Sequence, residues 1–221
     1  MSRIVIFANG ELPDLEKARA LLRADDTILC ADGGTHHALA LGLQPNLVVG
    51  DMDSLSKGAW KKLEQANVPI ELHPRDKDET DLELAIRRAI EMDPDSILVV
   101  GALGGRLDQT LGNIALLSDS LLSTLDSRFD DGAEEIFFCR KQAEAPSRAT
   151  RRGIEGRSGD IVSLIPWNGA VYGVRAEGLK WSLHGGTLYP EKTRGISNEM
   201  TAQTASVSIE SGLLLVVHQR K

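Results

Sequence analysis

The chain has 221 residues, 42% of them hydrophobic and only 4% aromatic, so a mainly aliphatic core can support one domain or two small ones. A formal net charge of −7 disfavours a general nucleic-acid-binding protein, because binding to phosphates requires a basic surface. The apolar N-terminal run is too short for a signal peptide and no segment is long enough to span a bilayer, so we expect a cytoplasmic protein with neither nucleic acid nor membrane as a partner.

Up to residue 140, predicted strands alternate with predicted helices. Strands are indicated by the apolar runs RIVIFA, TILCA, NLVVG, SILVVG and EEIFFC. Helices are indicated between them by PDLEKARALLRA, HHALALGL, SKGAWKKLEQAN, TDLELAIRRAIEM and QTLGNIALLSDSLLSTL. The alternation predicts an α/β fold, with a mostly parallel sheet and helices on both of its faces.

From residue 141 the pattern changes. The polar stretch KQAEAPSRATRRGIEGRSGD is predicted to be a linker with a turn or a strand edge. Short strands are then indicated by DIVSLIP, GAVYGVRA, LKWSLH, TASVSIESG and LLLVVHQ, without helical periodicity. We therefore expect an α/β domain over residues 1–140 and a small all-β sandwich or partial barrel over 141–221.

Polar residues follow three of the predicted parallel strands. ADGG follows TILCA, GDMDS follows NLVV, and GALGGRLD follows SILVV. Ligands of parallel sheets bind beyond the carboxyl ends of the strands. Each cluster alone is explained by an ordinary turn, but three in the same topological position predict one shared site.

The segment DKDETDLELAI carries four acids in its first six positions. Thr80 followed by Glu83 is typical of a helix capping box, and Asp81 suits the positive end of the helix dipole. These helical roles leave Asp76 and Asp78 unexplained. A solvated acidic loop is one interpretation, and a Mg²⁺ site is the other, because this ion prefers carboxylate oxygens.

Asp51 and Asp53 strengthen the metal hypothesis. Directly after a strand, an extended segment would point both carboxylates the same way, so that they could face one ion. An isolated pair of this kind is weak support, since turns often contain Asp. Combined with the other clusters, the pair favours a divalent-metal site.

The segment GALGGRLD supplies groups suited to phosphate. Its glycines allow close approach of the backbone to a ligand, and Arg106 offers a planar fork for phosphate oxygens. Asp108 could hold Arg106, accept a hydrogen bond from a ribose hydroxyl, or cap the following helix. The segment lacks the P-loop and Rossmann fingerprints, so metal and arginine would hold the phosphates.

Other reactive residue types have simpler interpretations. His36 and His37 are adjacent, face different ways on a helix and are expected to be structural. Trp181 lies in a predicted strand, where core packing is the first expectation and contact with a cationic or heteroaromatic ligand the second. Cys30 and Cys139 are expected to be buried free thiols.

The set formed by ADGG (31–34), GDMDS (50–54), DKDETDLELAI (76–86), GALGGRLDQTLGNI (101–114), Trp181 and GISNE (195–199) resembles the thiamine pyrophosphokinase family over nearly the whole chain. The resemblance implies an α/β catalytic domain and a β-sandwich that binds thiamine. It also implies a homodimer with the active site at the subunit interface. Such enzymes use Mg²⁺ to transfer the pyrophosphoryl group of ATP to the hydroxyl of thiamine, giving thiamine diphosphate and AMP.

The resemblance also assigns roles to individual positions. It implies that the metal and pyrophosphate are held by Asp51, Asp53 and Asp81. It implies contacts to the nucleotide phosphates from Thr80, Arg106 and Asp108, with Lys77 beside the reacting phosphates. The nucleotide pocket would be lined by Asp32, Gly33 and Gly34. The thiamine pocket would be lined by Trp181, Ser197 and Asn198.

Two positions depart from the family pattern. Many members have His where this chain has Gln109, so no acid–base role is expected there, and an aromatic residue where it has Met52. The family's direct in-line attack at the β-phosphorus, without a covalent enzyme intermediate, is expected here. The alternatives are a metal-dependent nucleotide-sugar glycosyltransferase, a non-catalytic nucleotide sensor, and a structural protein with acidic loops.

Overall fold

The computed structural model describes residues 2–141 and 151–221. The chain divides into two compact units, Met1–Gly132 and Ala133–Lys221. Residues 142–150 of the predicted linker lie outside the described residues. The described part of that stretch begins with a strand, Arg151–Glu155.

The first unit is built on a parallel sheet, as predicted. Its six strands follow the order β4-β3-β2-β1-β5-β6, and every neighbouring pair is parallel. The bounds are β1 (Arg3–Phe7), β2 (Thr27–Ala31), β3 (Leu47–Gly50), β4 (Ile70–Leu72), β5 (Ser96–Val100) and β6 (Asp126–Asp130). The sequence pattern missed β4 and β6, because β4 has only three residues and β6, DSRFD, is largely polar.

This unit has five α-helices: α1 (Leu15–Ala20), α2 (Thr35–Ala40), α3 (Lys57–Gln65), α4 (Asp81–Glu91) and α5 (Leu107–Leu117). Residues of α1, α2 and α3 share one apolar cluster with side chains from β1, β2, β3 and β5. The apolar side of α4 packs on β2 and β3 and does not belong to that cluster. The predicted covering of both faces follows from this arrangement.

The last predicted helix of the first unit is shorter than expected. It was predicted to run to residue 125, but α5 ends at Leu117 and a separate 3-10 turn follows at Ser120–Leu122. The side chain of Asp119 accepts a hydrogen bond from the backbone N–H of Leu121. Ser and Asp side chains can bond to nearby backbone groups and so compete with the hydrogen bonds of a helix. The SDS segment therefore ends α5 and begins the separate 3-10 turn.

The second unit is all-β. Its main ladder follows the order β7-β13-β9-β12-β8, with antiparallel pairing throughout, and β10 and β11 pair with β9. The bounds are β7 (Glu134–Arg140), β8 (Arg151–Glu155), β9 (Ile161–Glu177), β10 (Leu183–Leu188), β11 (Asn198–Glu199), β12 (Thr204–Ser208) and β13 (Ser211–Gln219). Its core is mainly aliphatic, as the low aromatic content indicated.

Two strand predictions in this unit were wrong. DIVSLIP and GAVYGVRA are one strand, β9, whose first half pairs with β13 and whose second half pairs with β10 and β12. LKWSLH is not a strand, because β10 begins only at Leu183. Strand β7 pairs with β13 and lies in the second unit, although the sequence pattern placed the change of architecture near residue 140.

Both cysteines are free and buried, as predicted. Among the helices within residues 2–141 and 151–221, none has the length and apolar character needed to cross a membrane.

Candidate active site

A cleft of about 740 Å³ opens at the carboxyl ends of the parallel strands of the first unit. Residues that follow β1, β2, β3 and β5 line it, together with the segment before α4 and the first turns of α5. The structure thus brings together the three polar clusters and DKDETD. It adds the segment Asn9–Glu11 after β1, which the sequence analysis did not single out. The signal was present, since NGE follows RIVIFA as the other clusters follow their strands.

The carboxylates of Asp51 and Asp53 converge through a turn and not through an extended segment. Met52 between them has φ of 64°, in the left-handed region, and the N–H of Asp53 donates to Asp51 Oδ1 at 3.1 Å. The geometric reason given for the pair from sequence was therefore wrong. Oxygen atoms from Asp32, Asp51 and Asp53 nevertheless lie within 4.8 Å of one another.

Asp32 is the most deeply placed of these acids. It opens a 3-10 turn after β2, has φ of 40° and is 4% exposed. Its Oδ1 has no hydrogen-bond partner among the described residues. Burial raises the pKa of Asp32, and the neighbouring carboxylates of Asp81 and Asp51 raise it further. An unpartnered buried oxygen beside two more carboxylates is a donor set that suits a hard divalent cation.

Asp81 lies next to this trio but has a different partner. Its Oδ1 is 3.0 Å from Lys77 Nζ, which is also 4.0 Å from Asp51 Oδ2. Gly50 permits this closeness, because a Cβ there would lie 3.0 Å from atoms of both Asp32 and Asp81. Of the predicted metal set, Asp51 and Asp53 thus lie in a trio with Asp32, and Asp81 lies beside this trio.

Two cations balance the acidic end of the cleft. Lys77 is 12% exposed and also donates to the carbonyl oxygen of Pro74 at 3.1 Å. Arg75, which the sequence analysis did not single out, places its Nε 3.4 Å from Asp53 Oδ2 and is largely exposed. Both cations come from the loop between β4 and α4, so this loop carries groups of both signs into the site.

The segment before α4 has the predicted N-cap. Thr80 Oγ1 accepts from the backbone N–H of Glu83 at 3.2 Å. The reciprocal half of the capping box is absent, since the Glu83 carboxylate instead accepts from Arg87 at 2.6 Å. Asp76 and Asp78 are exposed, and neither lines the cleft. Of the four acids in DKDETD, Glu79 and Asp81 are the ones that reach it.

At the glycine-rich end of the cleft, Arg106 and Asp108 form a two-point ion pair. Arg106 donates to Asp108 with N···O distances of 3.1 and 2.5 Å, and both side chains are exposed. The hydrogen bond to Asp108 raises the pKa of Arg106, and the same bond lowers the pKa of Asp108. Of the three roles considered for Asp108, the structure shows the one that holds the arginine. Arg106 occupies the N-cap position of α5, without a side-chain cap.

Gly33 and Gly34 are buried behind the cleft and do not line it. A Cβ on Gly33 would lie 2.4 Å from Asn9 Cγ, and one on Gly34 would lie 2.1 Å from the backbone oxygen of Phe7. These glycines therefore let the turn that carries Asp32 pack directly on the end of β1.

In the second unit, the structure brings Trp181 and Asn198 together. Asn198 Oδ1 accepts from the Trp181 backbone N–H at 3.0 Å, and Asn198 Nδ2 donates to the Trp181 carbonyl at 2.8 Å. Ser197 has φ of 58°, and its N–H donates to Ser163 Oγ at 3.0 Å. The first expectation for Trp181, core packing, was wrong: the residue is 58% exposed, with Lys180 Nζ 5.1 Å from its ring centroid.

The sequence of this chain matches known proteins. The family model described as "Thiamin pyrophosphokinase, catalytic domain" matches residues 18–129, and "Thiamin pyrophosphokinase, vitamin B1 binding domain" matches residues 151–214. Thiamine pyrophosphokinase of Bacillus subtilis (strain 168) is 30% identical, with 84% of each chain covered. Thiamine pyrophosphokinase 1 of Oryza sativa subsp. japonica is 25% identical, with 98% of this chain and 87% of the relative covered.

Solved structures agree with the sequence comparisons. The crystal structure of the Bacillus subtilis thiamine pyrophosphokinase superposes with a TM-score of 0.87 at 26% identity, covering both chains completely. Yeast thiamin pyrophosphokinase shares the fold, with a TM-score of 0.74 at 18% identity over 99% of this chain and 86% of the other. The glycosyltransferase and sensor alternatives are not favoured. The chain belongs to the thiamine pyrophosphokinase family.

Proposed function

We propose that this protein transfers the pyrophosphoryl group of ATP to the hydroxyl of thiamine, giving thiamine diphosphate and AMP. The observation that carries the proposal is the cleft itself. A trio of carboxylates, one with a buried and unpartnered oxygen, lies in the same cleft as Lys77 and Arg106. This combination suits a magnesium nucleotide, because carboxylates alone would repel the phosphates and cations alone would not hold a metal.

Mg²⁺ would be held by Asp51 and Asp53, with Asp32 and Asp81 as the neighbouring carboxylates that complete or adjust its surroundings. When bound, the ion would supply positive charge that offsets the negative charge of the phosphates and of the leaving AMP. The described residues fit such a cation by their donor chemistry, since all four offer hard oxygen atoms.

The cationic side chains have separate roles in this proposal. Lys77 lies between Asp51 and Asp81, where its ammonium group can contact the phosphates being transferred. Arg106 is held by Asp108 at the other end, with its guanidinium exposed to the cleft for the remaining phosphate oxygens. Thr80 marks the start of α4, whose first backbone N–H groups favour anions.

We propose an in-line reaction without a covalent enzyme intermediate. The hydroxyl oxygen of thiamine forms a bond to the β-phosphorus, the bond from that phosphorus to the α–β bridging oxygen breaks, and AMP leaves with the oxygen. The hydroxyl proton is lost to solvent or to a carboxylate. Catalysis then consists mainly of positioning and electrostatic stabilisation.

For thiamine we propose a pocket lined by Trp181, Ser197 and Asn198. The exposed indole offers a face to the positively charged thiazolium ring. The two hydrogen bonds between the Asn198 side chain and the Trp181 backbone fix the segment that carries this indole. We further propose a homodimer in which this pocket of one subunit completes the nucleotide site of the other. A cytoplasmic location is proposed because ATP, the co-substrate, is found there.

Product identification tests the reaction. The protein is incubated with ATP, Mg²⁺ and thiamine, and the nucleotides and thiamine species are separated. AMP and thiamine diphosphate in equal amounts are expected. ADP with thiamine monophosphate would contradict the proposal. Asp51→Asn should abolish turnover while the fold survives, whereas Asp76→Asn, a matched change at an exposed acid outside the cleft, should leave turnover intact.

Mixed dimers test the shared site. Asp51→Asn chains should be inactive alone, and Trp181→Ala chains should be nearly inactive alone when thiamine is kept well below the wild-type KM. Under that assay condition the two chains are mixed so that subunits can exchange. If each site combines Asp51 of one subunit with Trp181 of the other, random mixing restores about a quarter of the wild-type activity, since one site per heterodimer is intact. If both residues of a site come from the same chain, no activity returns and the shared arrangement is wrong.

A further inference from the structure

His37 contacts two of the loops that line the cleft but does not line the cleft itself. It lies on α2, half-buried, and its Nε2 is 2.9 Å from the carbonyl oxygen of Gly10. A carbonyl oxygen can only accept a hydrogen bond, so Nε2 must carry the proton and donate. The contact therefore fixes both the ring orientation of His37 and the direction of the Gly10 carbonyl.

Gly10 is also hydrogen-bonded to the glycine-rich loop after β5. Its N–H donates to the Gly101 carbonyl at 2.7 Å, and the N–H of Glu11 donates to the Leu103 carbonyl at 2.8 Å. A Cβ on Gly10 would lie 2.4 Å from the Leu103 oxygen and 2.5 Å from the Gly101 oxygen. The two loops are thus in direct backbone contact and must move together.

The imidazole ring of His37 also packs on the second loop. A Cβ on Gly101, which has φ of +70°, would lie 3.3 Å from His37 Cδ2. One side chain from α2 therefore touches both loops at the point where they join. The cleft wall beyond that point is formed by Asn9–Glu11 and Gly104–Arg106.

We infer that His37 is a positioning residue for nucleotide binding. By donating to Gly10 it holds the joined loops in the conformation that presents their backbone groups and Arg106 to the ligand. Without the donor, the Gly10 carbonyl loses its partner and the loops must be ordered again each time a nucleotide binds, which weakens affinity. The inference rests on the proposed function only for the identity of the ligand, a magnesium nucleotide.

Two substitutions separate the hydrogen bond from simple packing. His37→Leu keeps much of the side-chain volume and removes the donor. His37→Gln places an N–H where Nε2 now lies and serves as the matched control. Binding of ATP with Mg²⁺ is measured by calorimetry, the kinetic constants are measured for each substrate, and thermal unfolding verifies that both variants are folded.

For His37→Leu we expect the Kd and the KM for ATP to rise about ten-fold, or about 1.4 kcal/mol. Its KM for thiamine and its kcat should stay within about two-fold of wild type, because the residue does not touch the acidic end of the cleft. His37→Gln should restore ATP affinity to within about three-fold of wild type, since the donor is retained. A residue that merely filled space would show the opposite order, with the aliphatic variant better tolerated.

Three results would overturn the inference. They are unchanged ATP affinity in His37→Leu, equal losses in both variants, and a uniform fall in kcat with no change in affinity. The proposed function can fail separately: if the wild-type protein binds the magnesium nucleotide but forms no thiamine diphosphate, nucleotide affinity in the two variants still decides the role of His37. A wild-type protein without affinity for any magnesium nucleotide overturns both.

Discussion

Lys77 should weaken Mg²⁺ binding when no nucleotide is bound, and it should increase turnover when the nucleotide is bound. Its ammonium group lies 3.0 Å from Asp81 and 4.0 Å from Asp51, where a cation would otherwise gain the full attraction of these carboxylates. Replacing Lys77 by Met removes the competing charge and keeps the aliphatic stem. The variant should therefore bind Mg²⁺ more tightly than wild type while catalysing less.

The magnitude follows from the distances. Two unit charges 4 Å apart interact by about 4 kcal/mol at an effective dielectric constant of 20. The three side chains are 12% to 26% exposed, so solvent and salt reduce this figure, and we take about 1–2 kcal/mol as the net effect on the metal. That corresponds to Mg²⁺ binding about 5- to 30-fold tighter. Turnover should fall at least about 100-fold, because the phosphates lose their nearest cation.

Calorimetric titration of Mg²⁺ into nucleotide-free protein measures the first effect, and steady-state turnover measures the second. Lys61→Met on α3 is the matched control, because it removes the same charge at an exposed site away from the cleft. The metal-free Lys77→Met variant should also melt at a lower temperature, and Mg²⁺ should reduce the difference. If Lys77→Met binds Mg²⁺ no more tightly than the control, Lys77 does not neutralise the metal carboxylates and the reasoning fails.

Three further predictions use other parts of the chain. Gly34→Ala should lower the free energy of unfolding, measured with denaturant, by at least about 2 kcal/mol, because its methyl group would lie 2.1 Å from a backbone oxygen of β1. Gly112→Ala in α5 is the control: its methyl group would meet nothing within 4 Å, so this change should be neutral or stabilising. Arg3→Met should lower the free energy of unfolding by about 3–5 kcal/mol, because it leaves the Asp26 carboxylate without its partner in a buried ion pair of 2.7 Å. Burial raises the pKa of Asp26, but its hydrogen bonds to Arg3 and Arg23 lower this pKa overall. The stabilisation is therefore present above about pH 4 and is lost on acidification, and Asp26→Asn should flatten that pH dependence. Trp181→Ala should raise the KM for thiamine more than ten-fold in a steady-state assay, because an aromatic contact to a cation that loses its water on binding is worth about 2 kcal/mol. The same change at the tryptophan of α3 should not raise this KM.

Local sequence signals predicted those elements whose cause is local. The buried strands β1, β2, β3 and β5 are apolar runs bounded by turn residues, and they appear where the pattern placed them. Thr80 caps α4 as predicted, because an N-cap depends on a hydroxyl and a backbone N–H three residues later. Helix α5 ends earlier than predicted, also for a local reason: the side chain of Asp119 accepts a hydrogen bond from the backbone N–H of Leu121.

Other features depend on contacts that sequence spacing does not reveal. Met52 adopts a left-handed conformation that its residue type disfavours, so the convergence of its two neighbours arises from the surrounding packing and not from strand geometry. Trp181 is exposed because Asn198, 17 positions away, holds its backbone in a bend. Asn9 was not predicted to line the cleft. It follows β1 as the other polar clusters follow their strands, and this topological position is the signal that identifies it.

The acidic end of the cleft explains how the chain tolerates a cluster that is unfavourable for folding. Four carboxylates converge there, and burial of Asp32 adds to the repulsion between them. Without a metal, Arg75 and Lys77 supply two positive charges at 3.4 and 3.0 Å from the nearest carboxylates. In the proposed function, a cation held by the carboxylates would replace this attraction, so that the two positive charges would become available to the phosphates of the nucleotide. We therefore infer that the same two residues stabilise the metal-free protein and contribute to binding of the metal-bound nucleotide, which would explain why the loop between β4 and α4 carries acids and bases together.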